Sequence, residues 1–218
     1  MSDISIDVVE RTIKAVSATV LRNEKHFSDL DALAGDGDFG ASLAAGFRVI
    51  ETDLASVDKS NIGVFLLKLS MIISKHVGGS SGPLWGTAFM RAGMVCKDKM
   101  SITLEDLEKI TQGAIDGIQQ RGGAQPGDKT LIDSLIPVRD AIAAHAHGDG
   151  DNNGALRDAA KAAAAAAEQA KSWVAKRGRQ QFTGDRSSGT PDPGMVAVAT
   201  ILHDLCLEFG VKPVPIDA

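Results

Sequence analysis

The sequence has little of what nucleic-acid-binding, membrane and disulfide-bonded proteins require. It contains no tyrosine, aromatic residues make up only 4% of its 218 residues, and the net charge is −5. A nucleic-acid partner needs a basic face and usually aromatic platforms, so this class is excluded. No apolar run approaches the roughly 20 residues of a membrane-spanning helix. Cys96 and Cys206 stand apart in apolar segments, which excludes paired redox or zinc motifs.

The length and the ordinary composition predict one globular domain spanning residues 1–218. Hydrophobic residues make up 44% of the chain and charged residues 23%, which indicates a folded rather than a disordered protein. The N-terminus, MSDISIDVVERTIKAV, is acidic and amphipathic, unlike a signal or transit peptide. We therefore expect a cytoplasmic protein with no nucleic-acid and no membrane partner.

The hydrophobic pattern is helical throughout the chain. In the first segment, apolar residues recur at spacings of three and four, and clusters of Gly, Pro, Asp and Ser separate the segments. The alanine-rich run 159–171 belongs to a helix, because alanine is the best helix former. The pattern predicts an all-α fold of eight amphipathic helices with essentially no sheet. The predicted helical segments are 3–26, 39–54, 61–77, 83–97, 103–121, 130–147, 151–177 and 193–209.

The acidic turn LDALAGDGDFG is the most distinctive loop. It places Asp31, Asp36 and Asp38 within eight residues, with glycines that allow the carboxylates to approach one another. Close carboxylates repel unless a cation lies between them, and all-oxygen ligands with open positions suit Mg²⁺ bound together with phosphate. The alternative is a solvated turn in which Asp38 caps the following helix. The residues by themselves leave both interpretations open.

Two further loops have the composition of phosphate-binding segments. The loop 76–86 is rich in glycine and contains Ser80 and Ser81 directly before a predicted helix, where backbone N–H groups favour anions. The loop 177–194 gathers Arg177, Arg179 and Arg186 in an otherwise acidic chain. Close helix packing and solvated arginines are the alternatives for the two loops. Together with the acidic turn, these loops indicate a site for a magnesium-bound nucleotide.

Four motifs in collinear order carry a family resemblance. They are G-D-x-D-x-G, V-G-G-x-S-G-P-L-x-G-T, G-x-x-x-P-G-D-K-T and R-x-x-x-x-G-D-R-S-x-G-x-x-D-P-G. In this combination, and over nearly the whole chain, the sequence resembles the nucleotide-binding L subunit (DhaL) family of dihydroxyacetone kinases. The resemblance implies a barrel of eight antiparallel amphipathic helices with the nucleotide site at one end.

The resemblance also assigns residues to the site. It implies ADP or ATP, and two Mg²⁺ ions held by Asp31, Asp36 and Asp38 as metal ligands rather than general bases. The nucleotide-binding residues that it implies are Gly78, Gly79, Ser80, Ser81, Gly122, Thr130, Leu131, Arg179, Asp192, Pro193 and Gly194. Two positions depart from the family pattern: Phe39 replaces the usual histidine and Ser42 the usual asparagine. Ser42 is counted among the candidate nucleotide contacts at that position.

The resemblance further implies that the chain works with a partner. Such kinases hold the ketose covalently on a separate K subunit, and some receive phosphate from a phosphocarrier subunit of the phosphotransferase system rather than from free ATP. The implied function is presentation of a magnesium-bound phosphate to a short ketose on the K subunit. The alternatives are a related kinase acting on an erythrulose-type ketose or a fatty acid, and a nucleotide-loaded regulatory binding protein.

Overall fold

The computed structural model describes residues 3–213, and its regular structure is almost entirely helical. This range contains the α-helices α1 Ile6–Arg22, α2 Glu24–Ala32, α3 Phe39–Asp53, α4 Ile62–His76, α5 Ser81–Val95, α6 Leu104–Gly122, α7 Leu131–Ala146, α8 Asn152–Ala170 and α9 Pro193–Glu208. Two short strands, β1 Ile4–Ser5 and β2 Ser101–Ile102, pair antiparallel. Two 3₁₀ segments, Leu54–Ser56 and Arg179–Ser187, complete the structure, the second interrupted at Gly184. The predicted helical class is confirmed, with one small sheet added.

The count of eight helices is corrected at the N-terminal end, because the described chain has nine within residues 3–213. The segment predicted over 3–26 breaks at Asn23, whose φ of −100° and ψ of 10° leave the helical region. The Asn23 side chain donates to the carbonyl of Thr19 at 2.9 Å, the kind of local bond with which asparagine competes against helix continuation. A separate helix, α2, then carries the chain to Asp31.

Eight of the helices pack side by side in a closed ring. Helix α1 packs on α3, each helix from α3 to α9 packs on the next one along the chain, and α9 packs on α1. Helix α2 contacts α3 and α9 beside this ring. The core contains the fully buried Phe47 and Phe65, and Phe47 meets Trp85 edge to face with ring centroids 6.5 Å apart. An apolar cavity of about 510 Å³ lies among α1, α5, α6, α8 and α9.

The alanine-rich run forms most of α8, as predicted. Its buried face includes Ala159 and Ala163, which pack against Val138 of α7 and Val198 of α9. The methyl side chain of alanine is too small to hold the neighbouring helices apart, so α8 lies close to both. The helix ends at Ala170 rather than at the predicted residue 177. Within residues 3–213, no helix combines the length and the apolar character needed to cross a membrane.

Candidate functional site

Four helices begin at one cavity of about 520 Å³. Its walls include Phe39, Ser81, Leu131 and Pro193, the first residues of α3, α5, α7 and α9. The unpaired N–H groups and the aligned peptide dipoles give a helix N-terminus a partial positive charge that favours anions. The backbone alone therefore suits this cavity to an anionic ligand.

Three aspartates form an acidic cluster at the cavity. Asp31 lies in the last turn of α2, and Asp36 and Asp38 follow in the turn that leads into α3. One oxygen of each carboxylate lies within 4.8 Å of the others. Asp31 is buried and accepts a hydrogen bond from the backbone N–H of Phe39 at 3.3 Å, which fixes its carboxylate. Carboxylates this close repel one another, and positive charge beside them relieves the repulsion.

Two glycines allow the acidic turn to close. The backbone N–H of Gly35 donates to the carbonyl of Asp31 at 2.6 Å, and a Cβ at Gly35 would overlap the Asp31 carboxylate. Gly37 has a φ of +75°, a conformation that residues with a side chain rarely adopt. The cluster therefore depends on glycine at both positions.

The guanidinium of Arg179 supplies positive charge at the acidic cluster. It forms an ion pair with Asp36 and a second one with Asp38 at 3.3 Å. The side chains of Asp36 and Asp38 are 37% and 48% exposed. Because exposed ion pairs contribute at most about 1 kcal/mol, a divalent ion would displace Arg179 at little cost.

The interpretation of Asp38 as a helix cap is wrong. Asp38 occupies the N-cap position of α3, but its side chain accepts no hydrogen bond from the first turn of that helix. The carboxylate instead faces Arg179. The structure therefore favours a charge-binding role for the turn over a capping role.

The Gly–Ser turn leads into α5 beside the acidic cluster. Gly79 has a φ of +61°, and Gly82 approaches the carbonyl of Val77 so closely that a Cβ would overlap it. Ser80 at the N-cap position makes no side-chain capping bond. The Ser80 hydroxyl therefore has no capping bond to give up to a ligand at the cavity wall, where Ser80 and Ser81 lie.

The loop before α7 is tied together by two buried carboxylates. Asp133 accepts from the backbone N–H of Thr130 at 2.8 Å, which restrains the start of α7. Asp128 accepts from the backbone N–H of Gln125 at 2.9 Å and from Nε of Arg177 at 3.3 Å. The second contact holds an arginine at the wall of the cavity. Oγ1 of Thr130 is a buried atom without a hydrogen-bond partner within residues 3–213.

Asp192 caps α9 at the wall of the cavity and has a raised pKa. Its carboxylate accepts from the backbone N–H of Met195 at 2.8 Å. Desolvation by burial raises the pKa of Asp192 to about 6, against the opposing effects of the backbone N–H donors of Met195 and Gly194 and of the Lys129 ammonium. Near neutral pH the cap therefore retains a larger protonated fraction than an ordinary aspartate.

The cavity brings together most of the residues predicted from the sequence. Those that line it are Asp31, Asp36, Asp38, Ser80, Ser81, Gly122, Thr130, Leu131, Arg179, Asp192, Pro193 and Gly194. Gly78, Gly79 and Ser42 are not among the lining residues. A Cβ on Gly78 would lie 2.8 Å from Oγ of Ser42, so Ser42 packs behind the Gly–Ser turn. Arg186 of the arginine loop also lies off the cavity wall.

Sequence reasoning missed several side chains of the cavity wall. Trp85 packs on Phe47 and also lines the cavity. Arg121 and Gln180 line the cavity without any signal in the sequence that separates them from ordinary surface residues. Lys129 also lines it, and the signal for this residue was its place inside the G-D-K-T motif.

The donor set fits a magnesium-bound polyphosphate. Three carboxylates offer hard oxygen ligands, and two of them are open to solvent, which leaves coordination positions for phosphate oxygens. Arg121, Arg177 and Arg179 also line the cavity and suit planar, charge-assisted bonding to phosphate. The carboxylates would repel a polyphosphate that carries no cation, so the cavity suits the polyphosphate and its cation bound together.

The fold and the site define an all-helical domain with a carboxylate cluster facing an anion-binding cavity. A sequence model of the DAK2 domain matches residues 33–207. The chain is 34% identical over 183 residues to the PEP-dependent dihydroxyacetone kinase, ADP-binding subunit DhaL, of Escherichia coli (strain K12), covering 84% of this chain and 87% of that one. The chain belongs to the DAK2-domain family.

Two longer relatives share the domain. The chain is 36% identical over 185 residues to the L-erythrulose 1-kinase of Mycolicibacterium smegmatis, covering 84% of this chain and 32% of that protein. Among solved structures, the dihydroxyacetone kinase from C. freundii in complex with AMP-PNP and Mg²⁺ superposes with a TM-score of 0.72 at 28% identity. That match covers 92% of this chain and 34% of the other. The chain therefore spans about a third of the length of these two proteins.

Proposed function

We propose that this chain is the ADP- or ATP-binding subunit of a short-ketose kinase and holds the nucleotide through two Mg²⁺ ions. The observation that carries the proposal is the cluster of Asp31, Asp36 and Asp38, with oxygens within 4.8 Å of one another beside Arg179 at the cavity. The relatives named for ADP binding and the solved relative with AMP-PNP and Mg²⁺ support it.

The proposed contacts divide between metal and phosphate. Asp31, Asp36 and Asp38 hold the ions, while Ser80 and Ser81 donate to phosphate oxygens from the start of α5. Gly78 and Gly79 shape that turn, and Ser42 supports it from behind. The rest of the nucleotide lies along Gly122, Thr130, Leu131, Arg179, Asp192, Pro193 and Gly194. The whole of residues 1–218 serves as one domain, in which the ring formed by α1 and α3 to α9 is a barrel of eight antiparallel helices with the site at one end and α2 lies beside it.

The chain's residues act by binding and positioning. When bound, Mg²⁺ neutralises phosphate charge and so promotes phosphoryl transfer. The three aspartates act as ligands rather than general bases, because their role is to balance the ion. Arg179, once released from Asp36 and Asp38, turns its guanidinium to a phosphate oxygen. Because Asp36 and Asp38 are 37% and 48% exposed, a terminal phosphate held there faces an acceptor outside the domain.

The acceptor is a short ketose held by a separate K subunit in the cytoplasm. Dihydroxyacetone is proposed first, because the relative that matches over 87% of its own length is named for it. An erythrulose-type ketose is the second candidate, since a relative with 36% identity is named L-erythrulose 1-kinase. The phosphate comes either from exchanging ATP or from a phosphocarrier subunit of the phosphotransferase system that recharges bound ADP.

Two measurements test the proposal. Calorimetric titration with ADP is expected to show binding in magnesium and none in EDTA; equal affinity in both would refute the metal assignment. The purified chain is then mixed with a K subunit, ATP and either dihydroxyacetone or erythrulose. Multiple turnovers indicate nucleotide exchange, whereas a single turnover that a phosphocarrier extends indicates recharging. No phosphorylated ketose under either regime would favour a fatty-acid kinase or a regulatory protein instead.

A further inference from the structure

Lys129 is a fully buried cation held by backbone carbonyls. The residue is 1% exposed. Its Nζ donates to the carbonyls of Ser187 and Thr190 at 2.7 Å each and to that of Trp173 at 3.0 Å, and it lies 3.4 Å from the carbonyl of Lys171. The Asp192 carboxylate interacts with this ammonium electrostatically, and within residues 3–213 no carboxylate lies at salt-bridge distance from it. We call these four oxygens the carbonyl cage.

The cage has the chemistry of a monovalent-cation site. An ammonium group has three N–H donors and no acceptor, and rings of carbonyl oxygens at similar distances replace the hydration shell of K⁺. The backbone of Lys129 also has a φ of +62°, which a residue with a side chain adopts only when its surroundings hold it there. The four carbonyls anchor the end of its side chain.

The cage joins the two ends of the segment 174–186, which includes the first part of the arginine loop. Lys171 and Trp173 follow directly on α8, while Ser187 and Thr190 precede α9. The residues between these anchors, 174–186, include Arg177 and Arg179 at the cavity wall. The Lys129 ammonium therefore contacts both ends of the segment that carries the arginines, and the backbone N–H of Gly189 joins the same two ends by donating to the Lys171 carbonyl at 2.7 Å.

A second contact closes the same loop. The backbone N–H of Ala175 donates to Oγ of Ser187 at 2.9 Å, and both residues are buried. The hydroxyl of Ser187 in turn donates to the carbonyl of Gly184 at 2.7 Å. The loop is thus closed around the Lys129 ammonium rather than spread over the surface.

We propose that Lys129 is a tethered monovalent cation: its ammonium occupies a carbonyl cage that accepts free K⁺ or NH₄⁺ once the side chain is removed, and it positions Arg177 and Arg179 over the cavity. Lys129 is a positioning residue, because its charged atom bonds to the carbonyls of the cage. The part of this inference that concerns nucleotide affinity rests on the proposed function.

Two substitutions separate charge from volume. Lys129→Gly empties the cage, and glycine adopts a φ of +62° without strain. Lys129→Met fills the cage with an uncharged side chain of similar length and blocks a free cation. Both variants and the wild type are compared in chloride salts of lithium, potassium and ammonium at equal ionic strength.

The first readout is hydrogen exchange of residues 174–186 in the protein without nucleotide. In lithium we expect roughly tenfold or faster exchange of this loop in Lys129→Gly than in the wild type, since bonds to a charged group are lost. Potassium or ammonium restores slow exchange in Lys129→Gly and has no effect on Lys129→Met. The wild type exchanges equally slowly in all three salts.

The second readout is the affinity for magnesium-bound ADP. It is expected to weaken in Lys129→Gly in lithium and to recover in ammonium, in parallel with the exchange rates. Should wild-type protein bind no ADP in any salt, the proposed function fails, while the exchange comparison still decides this inference.

Two results would overturn the tethered-cation assignment. One is wild-type protection of 174–186 in Lys129→Gly in lithium, and the other is lost protection that neither potassium nor ammonium restores. If Lys129→Gly is unfolded in lithium, the melting temperature in the three salts replaces the exchange rate. A higher melting temperature in potassium or ammonium than in lithium supports the cage. Equal melting temperatures, or no folding in any of the three salts, refute it.

Discussion

Removal of two carboxylates from the acidic cluster is the most direct perturbation of the site. Asp36→Asn combined with Asp38→Asn keeps the size of both side chains and takes away two of the three negative charges. Asp31 remains, held by the backbone N–H of Phe39 at 3.3 Å. The turn itself is expected to survive, because Gly35 and Gly37 set its backbone.

The magnitude follows from the exposure of the two side chains. At 37% and 48% exposure, the high-dielectric limit applies, in which two unit charges about 4 Å apart interact by about 1 kcal/mol. A divalent ion doubles this to about 2 kcal/mol per carboxylate. Loss of both is therefore worth about 4 kcal/mol, or about a 10³-fold weaker magnesium-dependent affinity for ADP. The protein without ligand changes by less than about 1 kcal/mol, since exposed ion pairs contribute little.

Calorimetric titration with ADP across magnesium concentrations measures the affinity, and thermal unfolding measures the stability of the protein without ligand. The matched control is Asp29→Asn with Asp185→Asn, which makes the same change of net charge at two exposed positions off the cavity wall. The control is expected to bind ADP as the wild type does. Wild-type affinity in the cluster variant, or an equal loss in the control, would refute the assignment of these carboxylates as metal ligands.

Three further predictions concern single residues. Gly35→Ala should weaken magnesium-dependent ADP binding, because its Cβ overlaps the Asp31 carboxylate; unchanged binding would show that the turn relaxes. Burial raises the pKa of Asp192 to about 6, so the free energy of unfolding of the wild type should fall by up to about 3 kcal/mol as the pH rises from about 4 to 6. Asp192→Asn keeps the cap but cannot ionise, and denaturant titration should find no such fall in this variant. Hydrogen bonds to Asp158 and Asp149 raise the pKa of His145. The stability that the charged imidazole provides is therefore complete below about pH 6.5 and is lost as the pH rises through the raised pKa. His145→Gln should lower the free energy of unfolding in acid and leave it equal to that of the wild type in alkali.

The acidic cluster is predictable from the sequence because its three aspartates lie within eight residues of one another. Asp31, Asp36 and Asp38 are joined by a turn whose glycines allow only a few conformations, so local geometry alone brings the carboxylates together. The Gly–Ser turn was predictable for the same reason. The place of Trp85 at the cavity is not predictable, because nothing in the sequence indicates that one edge of a partly buried ring borders a cavity.

The helices were predictable from period and composition, and their ends less so. The break at Asn23 produced an additional helix, because one local side-chain bond to Thr19 interrupted an otherwise continuous pattern. The end of α8 at Ala170 was also missed. Beyond it, Lys171 and Trp173 face the Lys129 ammonium, so a long-range contact replaced the last turns of a helix that the local sequence favours.

The sequence by itself determined the helical class, the acidic turn and the Gly–Ser turn, since each depends on interactions between residues close together along the chain. Only the tertiary structure decided that the first turns of α3, α5, α7 and α9 meet at one cavity, that Arg179 lies against Asp36 and Asp38, and that four carbonyls enclose Lys129. These contacts join residues dozens of positions apart, and they form only once packing of the apolar helix faces has fixed the ends of the helices in space.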